Sequence, residues 1–341
     1  MGTVGRRGRW IGYGVSAVAV GVLASLVDWS ELGAAFGAAR PAPLALATAL
    51  LLACYLAFAL RWRALLGGPR ALPLGAVFGA LMTGYLANLL FPLRPGDLLR
   101  ALLIDRRFAY GKLKALTSVG LERVFDLGTL CALGFAALAW VPEAFMVRLR
   151  DILGTTLALV GVAVLLVTAL VVLGRAPGAT QGPATLARRV RGGLWRVRTA
   201  LLALAGGSRG LPLRLVTVTA LSLLGWGCFV AAMIACVAAF APGTVQGAGL
   251  VLTVVTNLGA AIPSSPAGVG VYHALAVMTL MAFGVPAADA LAIAIVSHGL
   301  AVVTQAGLGL TALASAGGWR TLQEARGSGV AGARPGPPGL G

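Results

Sequence analysis

The sequence predicts an all-α membrane bundle with about six full spans and two opposed re-entrant hairpins arranged as an inverted repeat. Three observations predict it. Only 11% of the 341 residues are charged, against about 25% in a typical soluble domain. Hydrophobic residues make up 59% and mean hydropathy is +0.92. Long apolar runs alternate with short arginine clusters, the pattern of a polytopic membrane protein. The net charge of +17 therefore reports topology first. A nucleic-acid binder would spread basic residues and aromatics over one soluble domain, and none is present, so nucleic acid is not an expected partner.

The first apolar run, Trp10 to Val27, follows Arg6, Arg7 and Arg9. It is long for a signal peptide and lacks a small-x-small cleavage site, so an uncleaved span is expected. Further apolar segments are Pro43 to Leu60, Leu74 to Leu103, Leu113 to Val141, Ile152 to Leu173, Leu215 to Phe240, Leu250 to Val285 and Ala287 to Ala314. Two are broken. Asn88 to Asp97 (NLLFPLRPGD) interrupts the third, and Asn257 to Gly270 (NLGAAIPSSPAGVG) interrupts the seventh. Proline and glycine there break the helical ladder, which is tolerated at membrane depth only inside protein or beside a watery cavity.

Loop charges orient the chain by the positive-inside rule. Arg61, Arg63 and Arg70 follow the second span, and Arg106, Arg107, Lys112 and Lys114 follow the first broken segment. These stay cytoplasmic if the broken segment turns back as a hairpin. The loop 174–214 holds eight arginines and no acid. With a second hairpin entering from outside, 21 of the 27 basic residues lie inside, and both termini are cytoplasmic in a bacterial or archaeal cell membrane. The domain is expected over 1–314, with repeat units at about 43–141 and 215–314, and the Gly/Pro-rich stretch 315–341 as a disordered cytoplasmic tail. Pro92-x-x-Pro95 and Pro263-x-x-Pro266 mark the two units. Their opposed entry is the plan by which transporters place a site between broken helices.

Three constellations carry candidate chemistry. Arg94, Asp97 and Arg100 surround the first break; intramembrane charges cost roughly 2.5 to 3.5 kcal/mol each at mid-helix and usually pair or line a cavity. The two arginines offer planar forks suited to phosphate, and Asp97 is placed to cap the returning half-helix. Glu122, Arg123 and Asp126 follow, with the two acids at i and i+4 on one face, facing the hairpin as a neutralising network or a proton relay. In the second hairpin, Ser264, Ser265, Gly268 and Gly270 suggest an anion nest beside the titratable His273. His298 and Gln305 read as interhelical glue. The four cysteines lie in apolar runs without metal-ligand spacing, and no metal or cofactor is expected. The stretch 186–204 (LARRVRGGLWRVRTALLAL) reads as an interfacial helix on anionic lipid.

NLLFPLRPGDLLRALLI, ERVFDL and IPSSPAGVGVYHAL together resemble the flippase-like membrane domain of lysylphosphatidylglycerol synthases, over about residues 10 to 315. The resemblance assigns Asn88, Pro92, Arg94, Gly96, Asp97, Arg100, Glu122, Arg123, Pro263, Pro266, Gly268 and Gly270 to the family pattern. Asn257 is the second-hairpin counterpart of Asn88. Three positions depart from the pattern: Asp97 replaces glutamate, Ala267 a glycine and His273 a glutamate. The resemblance implies lipid translocation or lipid handling, with a membrane lipid as substrate and a lipid synthetase or glycosyltransferase as possible partner. No aminoacyl-transferase domain follows Ala314, so lysyl transfer is not expected. Three readings stay open: a transporter of an anionic amphipathic lipid, a membrane-embedded transferase with Glu122 or Asp126 as base, and an accessory subunit. No nucleotide loop or paired nucleophile is visible to support catalysis.

Overall fold

The computed structural model describes residues 16–25, 27–67, 72–91, 95–141, 211–244, 247–259 and 265–315, with Gly14 and a few isolated positions between 154 and 195. Every regular element among the described residues is helical. The expected span Ile152 to Leu173, the interfacial stretch 186–204 and the tail beyond Ser315 fall largely outside them.

Helix α1 (Ser16–Ser25) meets α2 (Trp29–Ala38) at 89°. The first apolar run thus ends in a sharp bend. Asp28 explains it: its carboxylate accepts from the Ser30 amide at 2.8 Å and the Ser30 hydroxyl at 2.6 Å, so a new helix starts there.

Among the described residues four helices are long and apolar enough to cross a membrane: α3 (Pro41–Leu66), α6 (Lys112–Ala137, extended by a 3₁₀ turn to Trp140), α7 (Leu211–Phe240) and α10 (Ala287–Ala314). The bent α1–α2 pair makes a fifth if it counts as one span. Both broken segments are hairpins of shorter helices. The first pairs α4 (Leu74–Leu90) with α5 (Gly96–Phe108), and the second pairs α8 (Gly247–Gly259) with α9 (Val271–Ala282). A helix of 13 residues is about 20 Å long at 1.5 Å per residue, well short of a hydrocarbon core of about 30 Å.

Helix α3 starts on Pro41, whose missing amide costs nothing at a helix start, and stops at Gly67 with φ of +60°. It runs six residues past the expected end at Leu60. This corrects the reading of Arg61 as a loop charge: the residue is fully buried inside the helix. Helix α7 lies antiparallel to α3 along its length. The Arg40 amide donates to Ala239 O at 2.9 Å at one end, Phe58 packs on Trp226 with ring centroids 5.8 Å apart in the middle, and Gly67 meets the Arg214 side chain at the other.

Around this central pair, α4 runs antiparallel to α10, with Gly309 against Met82 and Leu86. Helix α8 packs on α6 and α7, and α9 on α10. The first hairpin thus rests on α10 through α4 and on α6 through α5, and the second on α6 and α7 through α8 and on α10 through α9. The 3₁₀ turn Pro266–Gly268 of the second hairpin packs on α4 of the first.

Candidate functional site

The site begins where α4 and α5 touch. A β-carbon on Gly96 would run into the Gly84 carbonyl oxygen, so only glycine permits this approach. Asn88 Oδ1 accepts from the Gly96 amide at 2.7 Å. The asparagine side chain thereby satisfies the first free amide of α5 from across the break. Asp97, expected to cap this half-helix, does not; its carboxylate is taken by arginine side chains instead.

One turn further, Arg100 enters the core. Its Nη1 and Nη2 donate to Glu122 Oε2 and Oε1 at 2.9 and 3.1 Å, a planar fork on a carboxylate. Its guanidinium also stacks 4.7 Å over the Trp62 ring. Both ionic partners are buried, so Arg100 does not run to the membrane surface. Arg123 Nη2 donates to Asp97 Oδ1 and Oδ2 at 2.7 and 2.8 Å, and its Nη1 to Asp126 Oδ2 at 3.3 Å.

Arg61 completes the set. Its Nη1 donates to Asp126 Oδ1 at 2.7 Å and to Ser222 Oγ at 3.3 Å, while Nη2 lies 3.3 Å from Glu122 Oε1. Trp226 Nε1 donates to the same Asp126 oxygen at 3.1 Å. Three guanidiniums and three carboxylates from α3, α5 and α6 thus form one charge-balanced network, tied to α7 through Ser222 and Trp226. Balance matters because an isolated buried charge costs several kcal/mol, while a mutually neutralised set recovers most of that. Within it, Arg61 Nε, Arg61 Nη2 and Arg100 Nε have no hydrogen-bond partner among the described residues.

Sequence reasoning brought Asp97, Arg100, Glu122, Arg123 and Asp126 to this site. It missed Arg61, which follows Phe58 at i+3 and precedes Leu65 at i+4 on the buried stripe of α3. Arg94 lies outside the described residues.

The second hairpin is built differently. Three residues of its turn, Ala267, Gly268 and Gly270, have positive φ of 59°, 75° and 89°. The amides expected to form an anion nest are engaged within the protein. The Ser265 amide donates to Ser16 Oγ at 2.9 Å, the Gly268 amide to Ser265 O at 2.9 Å, and the Gly270 amide to His273 Nδ1 at 3.4 Å. Ser264 lies outside the described residues. Asn257 donates back to Thr253 O at 2.8 Å on its own helix, and among the described residues it makes no contact across the hairpin like that of Asn88.

His273 therefore caps α9. His298 sits 3.0 Å from Ala267 O through Nε2 and stacks on Tyr272 at 4.5 Å, and Gln305 donates to the Tyr55 hydroxyl at 3.0 Å. These two polar side chains of α10 join helices, as expected of interhelical glue. Tyr55 in turn packs edge-on against Tyr85 of α4, which is within electrostatic reach of Glu122, Arg100 and Arg123. Among the described residues, no group of three His, Cys, Asp or Glu is placed to hold a metal ion.

Comparison with known proteins sets this geometry in a family. The glycosyltransferase AglD of Haloferax volcanii is 27% identical over 329 aligned residues, covering 86% of this chain and 52% of AglD. The chain therefore spans about half the length of that relative. No solved structure matches it. Residues 9–309 match the lysylphosphatidylglycerol synthase TM region, a stretch containing both hairpins and the whole ion network, and the chain belongs to that family.

Proposed function

We propose that this chain is a flippase-like lipid transporter that moves an anionic amphipathic lipid between leaflets. The carrying observation is the charge-balanced network at the break of a hairpin too short to cross the bilayer. Such an arrangement suits a polar head group held at depth while its tails stay in hydrocarbon, avoiding a loss of about 0.8 kcal/mol per CH₂. In this reading six full spans and two opposed hairpins form an inverted repeat, with both termini cytoplasmic. The packing of both hairpins on both α6 and α10 fits that symmetry. Arg94, at the break itself, is a head-group contact, and the basic stretch 186–204 rests on anionic lipid.

The lipid is an aminoacyl phospholipid, a polyprenyl-phosphate sugar or another glycolipid. A second reading has one specific support. The AglD relative is named a glycosyltransferase and is about twice as long as the stretch matched here, so this chain would then serve as the membrane part of a lipid-modifying transferase or as the partner of one.

Liposomes decide between them. The reconstituted chain should speed the appearance of a labelled anionic lipid in the opposite leaflet with its mass unchanged. Arg94→Lys should slow this nearly as much as Arg94→Ala, because lysine keeps the charge and loses the planar fork. A covalently altered lipid without transbilayer movement would establish the transferase reading instead.

A further inference from the structure

We propose that Arg123 is the cation that receives the lipid head group, that the ligand group is a singly charged phosphate diester, and that Asp97 occupies Arg123 as a built-in surrogate which the phosphate displaces. This rests on the lipid-handling reading above.

Accessibility separates the members of the network. The side chains of Arg61 and Arg100 are fully buried, and that of Glu122 is 1% exposed. Arg123 is 41% exposed and Asp97 27%. An incoming anion can reach the Asp97–Arg123 edge and none of the inner pairs. Geometry makes that edge a ready oxyanion seat. A single nitrogen, Arg123 Nη2, lies 2.7 and 2.8 Å from the two Asp97 oxygens, and a phosphate presents a similar pair of oxygens to a guanidinium.

Charge selects the ligand and the mode of entry. Among the described residues three arginines face three acids, so this network by itself has no surplus positive charge to offer. An anion added on top would leave uncompensated negative charge in a poorly solvated place. One-for-one exchange with Asp97 keeps the balance, and a phosphate diester carries one charge as Asp97 does, whereas a monoester carries nearly two. Released, Asp97 swings toward the accessible edge.

The exchange also has a mechanical consequence. The Asp97–Arg123 contact ties the start of α5 to α6, while the Arg100–Glu122 fork holds the next turn. Displacing Asp97 also breaks its 3.1 Å contact with Arg100 Nη2, which frees the mouth of the hairpin, while the Arg100–Glu122 fork keeps the inner turn docked.

The test uses the full chain in a phosphate-free maltoside detergent, titrated with labelled phosphatidylglycerol. A site occupied by its own surrogate binds more weakly by the fraction of time it is free. Asp97→Asn should therefore bind the probe about tenfold more tightly than the natural chain. Arg123→Ala should lose binding, and Asp97→Asn should not rescue it. Should Asp97→Asn fail to fold, the unmodified chain still reports: saturating probe should raise carbodiimide labelling of Asp97 several-fold and leave Glu122 unlabelled. The proposal is overturned if the unmodified chain does not bind the probe, if Asp97→Asn binds no tighter, or if labelling of Asp97 does not rise at saturation. Inorganic phosphate is the second arm. If it displaces Asp97 as readily as the lipid, the exchange stands and a soluble oxyanion replaces the lipid as ligand, which counts against the transport reading. If binding and exchange hold but no lipid crosses in liposomes, the transport reading fails while the exchange survives.

Discussion

Arg61 and Asp126 are 65 residues apart in the chain and meet at 2.7 Å inside the bundle, where Trp226 donates to the same carboxylate oxygen. This single acid joins α3, α6 and α7, so the ion network belongs to the core that holds the long helices together as much as to the hairpin it faces.

Removing one partner of a buried ion pair typically costs 3 to 5 kcal/mol, roughly, because the other charge is stranded. Arg61→Ala should lower stability by about that amount, read as thermal unfolding of the purified protein in detergent. Arg61→Met combined with Asp126→Asn removes one charge of each sign and should cost less than the two single changes summed. Strict additivity in that cycle would mean that the pair does not interact.

The hairpin contact makes a sharper steric prediction. Gly96→Ala would drive a β-carbon into the Gly84 carbonyl, and overpacking of a close contact costs about 1 to 3 kcal/mol even where neighbours can move. Here the obstacle is backbone, so the loss should reach the top of that range or the hairpin should fail to close. Gly227→Ala is the control. Nothing lies within 4 Å of its would-be β-carbon, and it should be neutral or stabilising by about 0.5 kcal/mol. Equal effects of the two would show that the α4–α5 approach is not tight.

Ala267 stands where the family pattern has glycine, and its φ of 59° shows what glycine would relieve. A residue with a β-carbon in the left-handed region costs about 1 to 2 kcal/mol, partly offset by the greater chain entropy of glycine. Ala267→Gly should raise stability by about 0.5 to 1 kcal/mol. Ala267→Val should lower it, since a branched side chain suits that conformation least. A thermal shift of opposite sign for either substitution would overturn this assignment of strain.

The broken hairpins were legible because proline and glycine punctuate apolar runs in only one physically acceptable way. The acids on α6 were legible because two carboxylates one turn apart in an apolar helix must find partners. Arg61 was not, because the positive-inside rule treats any arginine after an apolar run as a loop charge, and α3 continues through Arg61 and Trp62 to Leu66. The bend at Asp28 escaped for a related reason. Hydropathy is blind to direction, and only the capping chemistry of Asp28 with Ser30 marks the turn. Asn88 took the capping role expected of Asp97 because a side chain from the opposing helix, invisible to local spacing, reached the free amide first.

Topology gives the last prediction. The antiparallel contact of Gly84 and Asn88 with Gly96 and Arg100 returns the chain toward the side from which α4 began. Arg107, in the last turn of α5, then lies at the same end of the bundle as Arg214, since Tyr110 donates to Leu66 O and Gly67 meets the Arg214 side chain. Gly243, in the turn between α7 and α8, lies on the opposite face if α7 crosses once. In a chain whose four native cysteines are replaced, single cysteines at Arg107 and Gly182 should react with an impermeant maleimide only from the cytoplasmic side, and one at Gly243 only from outside. Labelling of Arg107→Cys from outside would mean that the first broken segment crosses the bilayer. Cytoplasmic labelling of Gly243→Cys would reverse the second half of the chain, and with it the opposed entry of the two hairpins on which an alternating site depends.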